Sequence, residues 1–412
     1  MDIKKTRAAL VFLLAGAATA GFAQEDAGAR RPRARELGLA PGRFAPGPLN
    51  AITDVPGVRV GHATVTAGET VRTGVTAILP HQGDLFRQKA PAAVHVFNAF
   101  GKLVGATQVE ELGQLETPIL LTNTLSVWDA AAALADWMLA QPGNEQVRSV
   151  NPVVGETNDG WLNDICGRHV KAEHVRAALH AALSAAGAGP VEEGSVGAGA
   201  GTMAFGWKGG IGTSSRRVPL RGDAVFTLGV LVQTNFGGTL AMDGVPVWRA
   251  LQPARDRAAA SSGAESARAS EMDRGAATSA PANEGEGGSC MIVVATDAPL
   301  DARQLKRLAA RAIHGMARTG SSGSHGSGDY VIAFSTANRY LARSSGEAAP
   351  PPLAAAQWLR EDDLSPLLEA LVEATEEAIY NSLLRATTVR GRDGHTAEAI
   401  PIERLKALLK RN

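Results

Sequence analysis

The chain has 412 residues, with 41 Lys+Arg against 41 Asp+Glu. It therefore carries no broad basic field for a nucleic-acid partner. Apolar residues make up 45% and charged residues 20%, an ordinary globular mix with room for one large α/β unit or two to three domains. The N-terminus reads as a signal peptide, residues 1–23. Lys4, Lys5 and Arg7 precede the apolar run Ala8 to Ala15, and small residues lead to Gly21-Phe22-Ala23. Cleavage is expected after Ala23 or Ala20, which implies export to the periplasm or secretion. The run is far below the ~20 residues of a spanning helix, and no later segment is long and apolar enough, so no membrane partner is expected. Residues 24–48 read as a flexible lead-in, with ordered structure starting near Ile52.

Further along, Pro91 to Asn98 alternates like a strand, and Thr117 to Leu121 reads as a short buried one. Ser126 to Ala140 reads as a helix with Ser126 as N-cap and Asp129 in the paired box position. His169 to Ala186 reads as a second helix, and Phe226 to Thr234 as a β-type run. Composition then shifts. Residues 252–288 are Ala, Ser, Gly, Arg and Glu without apolar periodicity, a disordered linker ending in Gly287-Gly288. Ser289 to Thr296 follows at once as a strongly apolar strand. Asp301 and Gln304 form a capping-box-like start to a helix carrying Leu305, Leu308 and Ile313. Tyr330 to Ser335 reads as a strand, and Leu364 to Arg385 and Ile402 to Lys410 as helices. Strands and helices mix without clean βαβ alternation, so a layered sandwich fits better than a doubly wound sheet.

Several motifs point nowhere specific. Gly199-Ala-Gly201-Thr-Met-Ala204 matches a dinucleotide fingerprint by letter, but no apolar strand precedes it and no helical face follows. A glycine loop for close backbone approach is the simpler reading. His169, His174 and His180 lack the spacing of helical metal ligands. Gly326-Ser327-Gly328 is not a nucleophile elbow. Export permits a disulfide, but two isolated cysteines, Cys166 and Cys290, do not indicate one. The junction Gly288-Ser289 is different in kind. If that bond is cut, Ser289 gains an α-amine of pKa about 7.7–8.0 beside its own hydroxyl, a nucleophile carrying its own base. On letters alone, a Ser at a loop–strand boundary remains the simpler reading.

The ordered set of segments names a family. Ile52-Thr-Asp-Val-Pro-Gly-Val-Arg-Val-Gly-His62, Thr73 to Pro80, Asn151-Pro-Val-Val-Gly-Glu-Thr-Asn-Asp-Gly160, Gly209 to Ser215 and Leu231-Val-Gln-Thr-Asn-Phe-Gly-Gly238 belong to it. So do Ala295 to Leu300 and Ser327-Gly-Asp329 through Asn338. Together these resemble the L-aminopeptidase/D-esterase (β-peptidyl aminopeptidase) family of self-processing serine N-terminal-nucleophile peptidases, from about Leu49 to the C-terminus without the linker. The resemblance implies one αββα sandwich, similar to N-terminal-nucleophile hydrolases with different connectivity. It implies cutting between Gly288 and Ser289 into an α chain (49–288) and a β chain (289–412).

Residue by residue, Ser289 matches the nucleophile. Ser327 and Asp329 match the polar pair that bonds with the nucleophile and its amine. Asn235 matches the oxyanion-hole side chain, and Glu156 the carboxylate that holds the substrate's free amine. Asn158 stands where some members carry Tyr and faces the substrate in relatives. Cys290 stands where an aliphatic residue is usual and reads as a small buried filler. The implied activity is an aminopeptidase acting on short peptides, amides or esters with a free amino terminus, without cofactor or metal, assembled as a homo-oligomer of αβ units. Two other readings compete. One is an acyltransferase like the ornithine acetyltransferases, which open their β chain with Thr. The other is an uncleaved, non-catalytic periplasmic binding protein.

Overall fold

The computed structural model describes residues 30–253, 288–341 and 355–411. The expected signal peptide and nearly all of the 252–288 linker lie outside the described residues. From Arg31 onward the chain forms one compact unit.

Two sheets carry the fold. The first runs in the order Arg59–Ala67, Val71–Leu79, Ile119–Asn123, Val153–Thr157, Leu103–Val104. The second runs Ile211–Pro219, Val225–Asn235, Ser289–Thr296, Gly328–Ser335, Gln88–Ala99, Tyr340–Leu341, with Gln114–Leu115 paired to Gln88–Ala99. The Ser289 strand pairs antiparallel with Val225–Asn235 and parallel with Gly328–Ser335.

Side-chain alternation along these strands produces three separate cores. On the Ser289 strand, Met291, Val293 and Ala295 join one core, and Cys290, Ile292 and Val294 another. The first of these lies between the sheets, where Ile78, Ile119 and Leu121 of the first sheet meet Leu231, Ile332 and Phe334 of the second. The second core packs Val230, Val232 and Val331 under the helices Ala302–Ala309, Ala312–Arg318 and Ser365–Leu384. A third packs Val75, Ala77, Leu120 and Val154 under the helices Val127–Leu139 and Ala172–Leu183. Strands buried on both faces read as near-continuous apolar runs, as Ser289–Thr296 does. Three cores between four layers make the αββα sandwich that the family resemblance implies.

Glycines set how closely the layers approach. A Cβ on Gly61 would lie 2.2 Å from Ala182 N, and one on Gly212 would lie 1.9 Å from Ala378 O. Each lets a helix backbone rest directly on a strand. Asp301 forms the expected capping box with Gln304. Ser126, expected as a cap, makes no side-chain cap bond. Instead its own N–H donates to Asn123 Oδ1 at 2.9 Å, because a short turn at 124–126 intervenes before the helix.

The expected flexible lead-in 24–48 needs correction over its described part. Ordered packing does not wait for Ile52. Ala34 and Leu39 are buried, and Ala34 N–H donates to Asn381 Oδ1 at 2.8 Å. The physical reason is a pair of buried carboxylates on the helix Ser365–Leu384. Glu373 accepts the N–H groups of Arg43 (2.8 Å) and Phe44 (3.1 Å), and Glu377 accepts Arg35 Nε at 3.0 Å. Arg216, wholly buried on the strand Ile211–Pro219, meets Glu373 at 3.2 Å and Glu377 at 2.9 Å. The Arg- and Gly-rich letters that look like a linker are the groups that satisfy these acids.

This cluster gives a stability prediction. Replacing Arg216 with Met leaves two buried carboxylates without their shared cation, a change that costs about 3–5 kcal/mol. A lowered denaturant midpoint at unchanged slope is the expected reading. A shift below about 1 kcal/mol would mean that Arg35 and backbone donors suffice.

Candidate active site

Strand pairing puts three residues in one row. Asn235 lies opposite Ser289, and Ser289 opposite Gly328. Ser289 has the parity of Met291 and Val293, so its side chain leaves the strand on the face toward the first sheet. There the strand Val153–Thr157 approaches, with Gly155 making room for Met291, whose Cε lies 2.3 Å from where a Cβ would stand. The next residue is Glu156. A cavity of about 660 Å³ opens between the sheets at this end, lined by Ser289, Gly288, Asn235, Glu156 and Asn158 among others. Five of the residues singled out from the sequence therefore meet in one place.

Ser289 is 6% exposed, and its Oγ donates to the Gly288 carbonyl at 2.7 Å. The same carbonyl accepts the Gly328 N–H at 3.0 Å. The bond preceding the serine is thus held with its oxygen polarised by two donors. Only glycine fits before it, since a Cβ on Gly288 would stand 2.8 Å from both Cα and Cβ of Phe236. Asn235 accepts the Met203 N–H on Oδ1 at 3.0 Å. An N–H can be accepted only by the oxygen, so the amide orientation is fixed and Nδ2 is the end left to donate.

Glu156 is 1% exposed. Its Oε1 accepts the Lys102 N–H at 2.8 Å, and its Oε2 accepts the Thr124 hydroxyl. Burial holds its carboxyl above the usual range against those two bonds. A cationic group entering the cavity would relieve that penalty. Asn158 is exposed, and its Oδ1 accepts the Gly160 N–H at 2.9 Å.

Ser327 and Asp329 are buried and do not line the cavity. Ser327 Oγ donates to Asp329 Oδ1 at 2.8 Å, and Asp329 pairs in register with Cys290, immediately behind the serine. Among the described residues Asp329 Oδ2 has no hydrogen-bond partner, and no bond joins this pair to Ser289. Burial pushes the Asp329 carboxyl up to about 6, opposed by the Ser327 hydroxyl and the Cys290 N–H. Cys290 is buried, and its thiol is pushed well above its usual value; Cys166 is exposed, and both are free.

Sequence reading missed Thr124, Lys102, Met203, Phe236 and Gly328. Each acts through backbone position, or through neighbours distant in the chain. The glycine-rich stretch at 199–204 forms no dinucleotide turn. It leads into a hairpin, Met203–Ala204 with Trp207–Lys208, whose Met203 N–H orients Asn235. His169 pairs with Asp164 at 3.0 Å. Among the described residues no three His, Cys, Asp or Glu side chains converge as a metal site would require, and no helix is long and apolar enough to cross a membrane.

The description of peptidase family S58 matches residues 50–397. The chain belongs to that family. It is 42% identical over 414 residues to the β-peptidyl aminopeptidase BapA of Sphingosinicella microcystinivorans, covering 97% of this chain and 96% of that one. Its fold is similar to that of a Burkholderia β-aminopeptidase at TM-score 0.77 and 39% identity, covering 92% of this chain and 99% of that one. The same TM-score, 0.77, at 36% identity and the same coverage relates it to the L-aminopeptidase D-Ala-esterase/amidase of Ochrobactrum anthropi, described as a prototype serine aminopeptidase and a variant of the Ntn-hydrolase fold. The chain is a hydrolase, a serine aminopeptidase of this family.

The raised Asp329 carboxyl predicts a pH dependence with a definite sign. Its value in the folded, uncut chain is about 6, above the 3.8 of a free carboxyl, so the folded form binds the proton more tightly. Stability is then fully present below about pH 4 and falls as pH rises through about 6. On a Ser289→Ala background, which keeps the carboxyl in this setting, adding Asp329→Asn should flatten that fall. Parallel stability curves for the single and double variants would show that another group causes it.

Proposed function

We propose that this aminopeptidase matures by cutting its own Gly288–Ser289 bond and then removes N-terminal residues from short peptides, amides or esters through an acyl-enzyme on Ser289. The observation that carries this is the 2.7 Å contact between Ser289 Oγ and the Gly288 carbonyl, at the mouth of a cavity that also holds Asn235 and Glu156. In maturation Oγ attacks the Gly288 carbonyl carbon. The C–N bond breaks, the Ser289 nitrogen takes the proton, and the resulting ester is hydrolysed by water. In turnover the freed α-amine accepts the Oγ proton during attack on the substrate carbonyl, and returns it to the leaving amine. Asn235 Nδ2 donates to the developing oxyanion, a role worth roughly 2.7–4 kcal/mol per donor. Glu156 holds the substrate ammonium, and the open oxygen of Asp329 receives the Ser289 ammonium that forms in the cycle.

Substrate scope follows from the relatives' names. β-Peptidyl substrates and L-amino amides or D-alanyl esters all present a free amine and a nearby acyl carbon. The Lys4 to Ala23 pattern supports export to the periplasm or beyond. We also propose assembly as a homo-oligomer of αβ units, the state implied by the family resemblance.

Two experiments test this reading. Purified wild-type protein should run as two bands on a denaturing gel, and Ser289→Ala as one. Gly288→Ala, which forces a methyl into the Phe236 backbone, should accumulate uncut chain. If Ser289→Ala still splits at this bond, an external protease makes the cut. Glu156→Gln should lower kcat/KM for free-amine substrates by roughly 10- to 150-fold, the worth of a charge-assisted hydrogen bond, while leaving maturation nearly unaffected. Wild-type turnover by a folded, mature Glu156→Gln enzyme would remove the anchor role.

A further inference from the structure

Among the described residues that line the cavity, two carry charge, Lys102 and Glu156. In the reading above Glu156 holds the substrate's amine, which leaves the Lys102 ammonium without a task. That ammonium pairs with no carboxylate among the described residues. Its Nζ donates to the Phe100 carbonyl over a long 3.4 Å and lies 6.0 Å from the centroid of the Phe100 ring. A lysine has three N–H donors, so the group keeps capacity for a further acceptor.

The loop that carries this cation is fixed at each of its residues. Phe100 N–H donates to the Ser327 carbonyl at 3.2 Å, the Tyr330 hydroxyl donates to the Gly101 carbonyl at 2.8 Å, and Lys102 N–H donates to Glu156 Oε1 at 2.8 Å. Gly101 is squeezed between the sheets; a Cβ there would stand 3.0 Å from Glu156 Oε1 and 3.2 Å from Gly328 Cα. The loop therefore passes beside the row of Ser289 and Gly328, with its cation rooted next to the amine anchor. The two charges act on each other, since the Lys102 ammonium draws the Glu156 carboxyl down against the burial that raises it. They form no direct ion pair; Glu156 is bonded to the Lys102 backbone and to Thr124. Each can still take a ligand group of opposite sign.

An amine held by Glu156 and an acid held by Lys102 must sit close together on the ligand. We propose that the cavity accepts a first residue bearing a carboxylate beside its free amine, as in β-aspartyl peptides and amides, with Lys102 as the partner of that carboxylate. This rests on the aminopeptidase reading above and names a substrate class of that site. In an α-peptide the carbon that bears the amine also bears the scissile carbonyl, and no carboxylate remains there. In a β-aspartyl group one carbon carries both amine and carboxylate, and the scissile carbonyl lies one methylene further on, the spacing of a β-amino acyl group. A carboxylate so near Glu156 would be repelled as a like charge, and the Lys102 ammonium offsets that repulsion. Hydrolysis at Ser289 would consume one water and release aspartate and the amine. The cation stands beside the anchor, so the carboxylate it meets belongs to the residue whose amine is anchored and not to the leaving group. Lys102 is a specificity-determining residue in this account and takes no part in bond breaking.

The test measures kcat/KM for β-aspartyl para-nitroanilide and for its α-carboxamide, in which a neutral amide replaces the carboxylate and nothing else changes. The ratio of the two is read within each mature enzyme, so damage common to both substrates cancels. Wild type should hydrolyse the carboxylate substrate at least as well as the carboxamide. Lys102→Met should lower the ratio by roughly tenfold, the worth of a half-exposed charge-assisted hydrogen bond, chiefly through KM. Lys102→Gln should do the same if the methionine variant fails to fold. Lys102→Glu should lower the ratio further, and Lys102→Arg should keep most of it. A ratio that removal and reversal of the charge leave unmoved overturns the proposal, as does a wild type that turns over the carboxamide and refuses the carboxylate. A second pair, β-homoalanylglycine and β-homoalanylglycinamide, moves the carboxylate into the leaving group; a loss confined to that pair overturns the assignment to the first residue. A wild type inert toward every free-amine substrate overturns the aminopeptidase reading and this proposal together; an active wild type with unmoved ratios in the variants overturns this proposal alone.

Discussion

The pairing of one short strand with two neighbours is the constraint from which the site follows. Ser289 can stand beside both Asn235 and Gly328 only while its strand runs antiparallel to the first and parallel to the second. A slip of one residue on either side would turn Ser289 toward the helices and bring Cys290 to the cavity. Register is held by what the strand buries. Met291, Val293 and Ala295 fill the space between the sheets, and Ile292 and Val294 fill the space under the helices. The apolar content of Ser289–Thr296 is therefore not only core material; it sets where the reactive hydroxyl points.

Around that row the polar groups are arranged in depth. Glu156 is buried but reachable from the cavity, whereas Asp329 lies wholly behind the serine. Lys208 and Asp159 are buried as well. Burial pulls the Lys208 ammonium down to about 7 and pushes the Asp159 carboxyl up to about 7. Lys208 Nζ donates to the Gly199 and Gly209 carbonyls at 2.7 and 2.9 Å, and in its hairpin it faces Met203. The hairpin that orients the Asn235 amide is thus pinned at its base by a buried lysine nitrogen that donates to backbone carbonyls.

Much of this was legible in the sequence, and the reasons are particular. Ser289–Thr296 matches its expected bounds because a doubly buried strand must be apolar at every position between its ends. The Asp301 cap was legible because its chemistry is local. Bringing Ser289, Asn235 and Glu156 together depended on a family resemblance, since strand pairing across distant segments leaves no mark on spacing. The failures have the same root. The segment after Arg31 reads as a linker because its partners, Glu373 and Glu377, lie on the far end of the chain. Trp161 and His395 are unremarkable letters in separate segments until the fold stacks them.

The clasp between the segment after Arg31 and the helix Ser365–Leu384 bears on how the protein would come apart. Cutting the chain at Gly288 would leave Arg216 and Ala34 in one piece, and Glu373, Glu377 and Asn381 in the other. The strands Val225–Asn235 and Ser289–Thr296 would likewise belong to different pieces while sharing both cores. No surface would exist along which the pieces could part and stay folded. Dissociation and denaturation would then be a single event, and reassembly would be a second-order encounter between two unfolded partners. Such a protein would be durable once made, yet dependent on having first folded as one continuous chain.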